Sequence, residues 1–364
     1  MTGNPQIDEW IAAGLYEPDA AGAPDWLELL QYLSEKGVST DEMVRALAHR
    51  GLTAAAGDRL TNPVRTVTRD DAAARTGLTL EQVDRAWLSV GLPPLAHEGP
   101  VLSEADLQLL AAFALGADLL GFEGALQFSR VMGSSLARIA DAAVSGFLVN
   151  VEGPLVDRAG RPVELARASY EASEILASIP QIFSPIFLHH TELATMRTRM
   201  TRDDTASYAE FRLSVAFLDL VDYTAWSRGL SVAELARAVN DFEEAASDRI
   251  AQAGARVVKN IGDAVMLVAP EDETVCAIAL DLCEFVDRHP TLTRLRGAIA
   301  SGALLSRDGD YFGPTVNLAA RAVKIAEPGE VVCDHAVPTF ESRSVGSHHI
   351  RGLPEPVELF AISR

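Results

Sequence analysis

Residues 215–224 read VAFLDLVDYT, and residues 257–268 read VVKNIGDAVMLV. Each is an apolar run that stops at a carboxylate, the pattern of a buried strand delivering an acid to its end: Asp219 in the first, Asp263 in the second. An Asp set among Phe217, Leu218, Leu220 and Val221 is costly to bury unless something cationic neutralises it. Two such acids at neighbouring strand ends suit a divalent metal, whereas either one alone would serve equally as a turn cap. The second run turns at Gly262 and Asp263, which predicts a hairpin between VVKNIG and AVMLV.

Working outward, Lys259 precedes Asp263 within the same hairpin, and DGDYFGPTVNLAARA follows from Asp308 to Ala322. With these motifs in this order, the chain resembles the class III nucleotidyl cyclases over about residues 207 to 364. The resemblance implies conversion of ATP to 3′,5′-cyclic AMP and pyrophosphate on a ferredoxin-like α+β domain. It implies that Asp219 and Asp263, with the carbonyl of Leu220, hold two divalent ions per site, Mg2+ or Mn2+. It places Lys259 and Asp310 where adenine is read, Lys donating to ring N1 and Asp accepting from the 6-amino group. Guanine presents O6 and N1–H there, so ATP is expected and not GTP.

Asn317 and Arg321 lie four apart on one predicted helix face. The resemblance gives them transition-state roles, Asn orienting the ribose and Arg offsetting charge on the α-phosphate, and places Arg351 near the terminal phosphates. It further implies that each site is shared between two chains. Asp219 and Asp263 come from one protomer and Lys259, Asp310, Asn317 and Arg321 from its partner, so a homodimer has two complete sites. One position departs from the family: Asp222 stands where Gly is usual, in the turn expected to cradle phosphates. Its carboxylate is expected to point away or to cap the following helix.

A chain of 364 residues exceeds most single cores, and 48% hydrophobic with 23% charged residues is an ordinary globular composition. The net charge of −20 argues against a nucleic-acid or anionic-membrane partner. Cys276, Cys283 and Cys333 lack metal-ligand spacing and read as core thiols. No signal segment is evident, and the most apolar stretches are broken by Asp118 or by Pro180 and Pro185. A cytoplasmic protein without a membrane span is therefore expected.

Residues 1–200 read as a helical regulatory domain, 201–208 (TRDDTASY) as a polar connector, and 209–364 as the catalytic domain. In the catalytic domain we expect strand 212–220, helices to about 253, the hairpin, helix 273–288, strand 295–304, helix 314–326, and short strands near 329–333 and 356–362. The N-terminal helices carry more apolar residues than a solvated surface needs. They should bury against another helix, a second subunit or a lipid-like ligand.

TRDDAAARTGLTLEQVDRAWLSVGLP, from Thr68 to Pro93, has a helix-turn-helix pattern, but its arginines are outweighed by acids, which favours a packing hairpin. A rival reading of the whole chain is a helix-turn-helix regulator with a non-catalytic, nucleotide-sensing cyclase-like domain. The domain order resembles soluble mycobacterial adenylyl cyclases with an autoinhibitory N-terminal domain, some of them pH-responsive. Ile186 to Asp203 is then the natural switch, with a proton as candidate ligand of His189 and His190, because histidine is the side chain that titrates near neutrality.

Overall fold

The computed structural model describes residues 4–49, 51–201 and 210–364, and the chain forms two compact units, Met1–Leu188 and His189–Arg364. The first unit is built from α1 Pro5–Ala12, α2 Ala23–Glu35, α3 Thr40–Ala48, α4 Ala55–Thr61, α5 Arg69–Thr76, α6 Leu80–Ser89, α7 Glu104–Leu120, α8 Phe122–Phe147, a π turn at Leu148–Glu152, and α9 Gly153–Asp157. The 40-residue α10, Pro162–Thr201, runs through Pro180 and Pro185 and on into the second unit. Ser39, Thr68, Thr79 and Ser103 each open a helix with a capping box, satisfying two otherwise orphaned amides at each start. Of the expected connector, residues 202–208 lie outside the described residues.

Two apolar clusters hold the helices together. One gathers Trp10, Leu29, Leu33, Met43 and Val163, and the other Val83, Trp87, Leu102, Leu110 and Leu126. The helix-turn-helix pattern becomes α5 and α6, packed by Ala72, Val83 and Trp87 into the second cluster. Its arginines are spent on carboxylates: Arg69 on Asp84, Arg75 on Glu104 and Arg85 on Glu123. That pairing leaves the hairpin no basic edge to offer phosphates.

The stretch Phe122–Asp157 lies between the interruptions noted above. Among the described residues it is the one helical stretch long and apolar enough, by length and composition, to cross a membrane, with a mean hydropathy of 1.3. Phe128, Leu136, Val144, Leu148 and Val149 on it are exposed.

The second unit contains β1 Glu210–Leu220, α11 Tyr223–Ser227, α12 Val232–Gln252, β2 Arg256–Ile261, β3 Ala264–Ala269, α13 Asp272–Arg288, β4 Leu295–Arg307, β5 Asp310–Phe312, α14 Pro314–Ala322, β6 Val331–Cys333, β7 Glu341–His348 and β8 Val357–Ser363. The sheet order is β2-β3-β1-β4-β6-β8-β7, with β5 paired to β4. Only β4 and β6 run parallel. Alternate residues of β1 part to the two faces: Ala216, Leu218 and Leu220 join α12 and α13, whereas Val215 and Phe217 join Tyr311 and Ala319.

Two strands escape the sequence pattern. β5 has three residues, and β7 is a polar edge strand, ESRSVGSH, with no apolar alternation. α14 ends at Ala322, short of the expected 326. Beyond it the winding tightens to i→i+3 bonds from Lys324 to Arg321 and from Ile325 to Ala322. All three cysteines are buried and unpaired, as core thiols should be.

Candidate active site

Register brings the two acids together. Asp219, next to last in β1, lies opposite Ala264 on β3, so Asp263 in the β2–β3 turn is its diagonal neighbour. The Leu220 amide donates to the Asp263 carbonyl at 3.2 Å, tying the turn to the strand end. Burial pushes the Asp263 carboxyl above its ordinary range, and the Asp219 carboxylate, within hydrogen-bonding reach, pushes it further.

A third side chain completes this edge, and sequence reasoning missed it. Arg296 on β4 is the cross-strand partner of Asp219, and its Nη2 donates to Asp219 Oδ2 at 3.1 Å. Its Nε is buried with no acceptor. An orphaned guanidinium nitrogen beside two crowded acids marks a place with unspent capacity for an anion as well as for cations. The donor set suits hard divalent cations, since it consists of two carboxylates with the Leu220 carbonyl at the same strand end.

In the turn after β1, one of the two alternatives for Asp222 fails, the side-chain cap. Asp222 occupies the N-cap of α11 with φ 52° and ψ 33°, and its side chain makes no cap. Its carbonyl instead accepts from the Ala225 and Trp226 amides, both at 2.9 Å. A left-handed position explains why glycine is usual there, and Asp is among the residues that tolerate it. Among the described residues, the amides of Asp222, Tyr223 and Thr224 carry no hydrogen bond. With Asp222 left-handed they form a short concave run of donors.

Lys259 on β2 and Asp310 at the start of β5 form an ion pair, Nζ to Oδ2 at 2.5 Å, although they are 51 residues apart. Asp310 Oδ1 accepts from the Tyr311 amide at 2.8 Å. Arg256 braces this hairpin by donating to the Gly309 carbonyl at 2.6 Å and lying over the Tyr311 ring. On α14, Asn317 and Arg321 are exposed, while Ala319 and Ala322 anchor the helix in the core. Arg351 is exposed in the turn before β8, and the adjacent Gly352 touches the Arg321 guanidinium.

The predicted residues therefore fall into separate groups within one chain. Asp219, Leu220 and Asp263 form one edge with Arg296, Lys259 and Asp310 form a pair, and Asn317 and Arg321 share a helix. Among the described residues no hydrogen bond or ion pair joins the acid edge to the other groups. The histidines of the expected switch, His189 and His190, are exposed on α10, with His189 Nδ1 3.9 Å from Glu192.

Residues 207–362 match the adenylate and guanylate cyclase catalytic domain, and residues 4–187 match the adenylate cyclase regulatory domain. An uncharacterised protein of Mycobacterium tuberculosis is 33% identical over 366 residues, covering 98% of this chain and 94% of its own length. An adenylate cyclase of Streptomyces coelicolor is 33% identical over 73% of this chain and 69% of its own. A pH-sensitive adenylate cyclase of M. tuberculosis is 28% identical over 93% and 87%. Among solved structures, the adenylyl cyclase CyaB from P. aeruginosa is 20% identical, covers 43% of this chain and 95% of that one, and has a TM-score of 0.38. The chain belongs to the class III adenylate cyclases, with an adenylate cyclase regulatory domain ahead of the catalytic domain.

Proposed function

We propose that the chain cyclises ATP to 3′,5′-cyclic AMP and pyrophosphate in a cytoplasmic homodimer with two composite sites, under control of its helical N-terminal half. The observation that carries this reading is the crowded acid edge. Asp263, tied to the end of β1 through the Leu220 amide, stands beside Asp219, so hard oxygen donors gather at one place and suit divalent cations. Asp219, Asp263 and the Leu220 carbonyl would hold two ions, Mg2+ or Mn2+, which when bound acidify the ribose 3′-hydroxyl and offset charge on the leaving pyrophosphate. The remaining work falls to side chains of the protein.

Arg296, with its buried Nε unpaired, is positioned to accept the triphosphate from the acid side, alongside the free amides of Asp222 to Thr224. Lys259 and Asp310, already paired and braced by Arg256, would open onto the adenine edge. The pair needs an acceptor and a donor in the order that adenine supplies and guanine reverses. Asn317 would orient the ribose, and Arg321 would meet charge developing on the α-phosphate, a contact worth about 2.7–4 kcal/mol in comparable sites. Arg351 adds a cation for the terminal phosphates.

Separation of these groups within one chain supports a site completed by a second copy, and so do the exposed apolar residues of α8 and α10, including Phe128, Ile139, Ile182 and Ile186. We assign 1–200 to the regulatory domain, 201–208 to the connector and 209–364 to the catalytic domain. A proton or a lipid-like molecule is the ligand class we assign to the N-terminal half. The deciding experiment mixes two dead homodimers. Asp219→Ala and Lys259→Ala should each be inactive, and their mixture should recover one working site per heterodimer. Heterodimers that form yet stay inactive would end the shared-site reading.

A further inference from the structure

We infer that the turn Ile350–Leu353 holds the Arg321 guanidinium in place, with Gly352 as a positioning residue; this rests on the transition-state role given to Arg321 above. The Leu353 amide donates to the Ile350 carbonyl at 3.0 Å, closing a four-residue turn. Gly352 is its third residue, with φ 83°, where turns of the second type call for glycine. Its bare Cα does a second job. A Cβ placed there would lie 2.5 Å from Arg321 Nη1, 3.5 Å from Cζ and 3.7 Å from Nη2, so the guanidinium rests where any other residue would put a carbon.

Among the described residues, Arg321 has no ion pair and no side-chain hydrogen bond. Gly352 therefore borders the space that its long, rotamer-rich side chain occupies. The turn itself cannot retreat. Ile350 is buried in one cluster with Ala322 and Val323 at the end of the helix that carries Arg321. Of the two sides of this contact, only the guanidinium is free to yield, so filling the space moves Arg321 and leaves the fold intact.

The test compares full-length Gly352→Ala with Gly346→Ala. Gly346 shares the left-handed strain, at φ 96°, but a Cβ there meets nothing within 4 Å. Gly352→Ala should lower kcat by about 10- to 10²-fold with KM for ATP little changed, the penalty of a displacement on the ångström scale. Gly346→Ala should keep kcat while losing similar thermal stability. Gly352→Asn, a residue type that accepts positive φ, should fold normally and still lose kcat. In an Arg321→Ala background, Gly352→Ala should have no further effect.

Wild-type kcat in both Gly352 variants, equal losses at Gly346, or full additivity with Arg321→Ala each overturn the inference. An Arg321→Ala enzyme of undiminished kcat overturns the role of Arg321 itself, and this inference with it. A slow Arg321→Ala enzyme beside a fast Gly352→Asn enzyme overturns this inference alone.

Discussion

Two polar clusters sit on the β1–β4 ladder, one at its middle and one near its end, and they are opposites in electrostatic terms. Midway along Ser214 pairs across the strands with Ser301, and near the end Asp219 pairs with Arg296. The serine cluster is saturated. Both hydroxyls donate to Asp272, His335 Nε2 lies 2.9 Å from Asp272 Oδ2, and His335 Nδ1 lies 2.8 Å from Asp334 Oδ1. Burial opposes the charge on Asp272, yet bonds from Ser214, Ser301 and His335 outweigh it and hold the carboxyl below its ordinary range. At the acid end burial and a like charge push Asp263 up, and Arg296 keeps an unpaired nitrogen. A satisfied network holds strands in place; an unsatisfied one awaits a partner.

The sharpest way to break this contrast is to remove a carboxylate from the acid end. Asp219→Asn should reduce cyclic AMP formation by on the order of 10³-fold, at the upper end of what single electrostatic contacts contribute. Arg296→Gln comes next, with a loss of about 10²-fold in kcat/KM for ATP, because the guanidinium proposed to meet the triphosphate goes while the acid pair stays. A variant at Arg296 that turns over normally would reduce that residue to a strand-pairing role.

The third test reads stability without turnover. A carboxyl whose folded pKa is raised favours folding fully below its unfolded value, and that contribution is lost as pH rises through the folded pKa. At neutral pH the cation-free protein therefore carries a penalty at Asp263. Asp263→Asn should raise the cation-free melting temperature by roughly 2 °C. It should also shrink the stabilisation that Mn2+ gives the wild type. Equal Mn2+ shifts in both proteins would mean that the acid edge does not bind the ion.

These effects trace which parts of the site the sequence could reveal. Asp219 and Asp263 are legible because an acid ending an apolar run is an anomaly that needs a cause. Lys259 and Asp310, 51 residues apart, look like a surface lysine and a turn acid until the fold joins them, and only family resemblance singled them out. Arg296 in LRGAIASG looks like any polar residue near a strand start, because its meaning lies in the β1–β4 register. Gly352 hides for the same reason: a turn glycine is commonplace, and the guanidinium upon it arrives from α14. Helices of the N-terminal unit announce themselves through caps such as Ser39 and Thr79, but their packing partners are set by residues far apart in the chain, as in the cluster that holds both Trp10 and Val163.

The smallest effect on activity is expected at the serine cluster, and the sign of its effect on stability is fixed by the direction of two shifts. His335 is raised, since bonds to Asp334 and Asp272 outweigh the burial that opposes its charge. Its contribution is complete below the unfolded value of 6.5 and fades as pH climbs through the raised folded pKa. Asp272 is lowered, so its contribution is present above the unfolded value of 3.8 and fades as pH falls through the depressed folded pKa. Both are in force together between those limits. His335→Ala should therefore lower the melting temperature by roughly 2–4 °C near pH 6, a partly exposed pair being screened by solvent. The deficit should narrow as pH climbs from 6.5 through the raised folded pKa, where the folded wild type gives up the imidazolium. Specific activity with saturating Mn2+ and ATP should stay within about twofold, because Asp272 and His335 already spend their polar atoms on Ser214, Ser301, Asp334 and each other. A His335→Ala protein that is stable but as inactive as Asp219→Asn would show that saturation and function are not the alternatives drawn here.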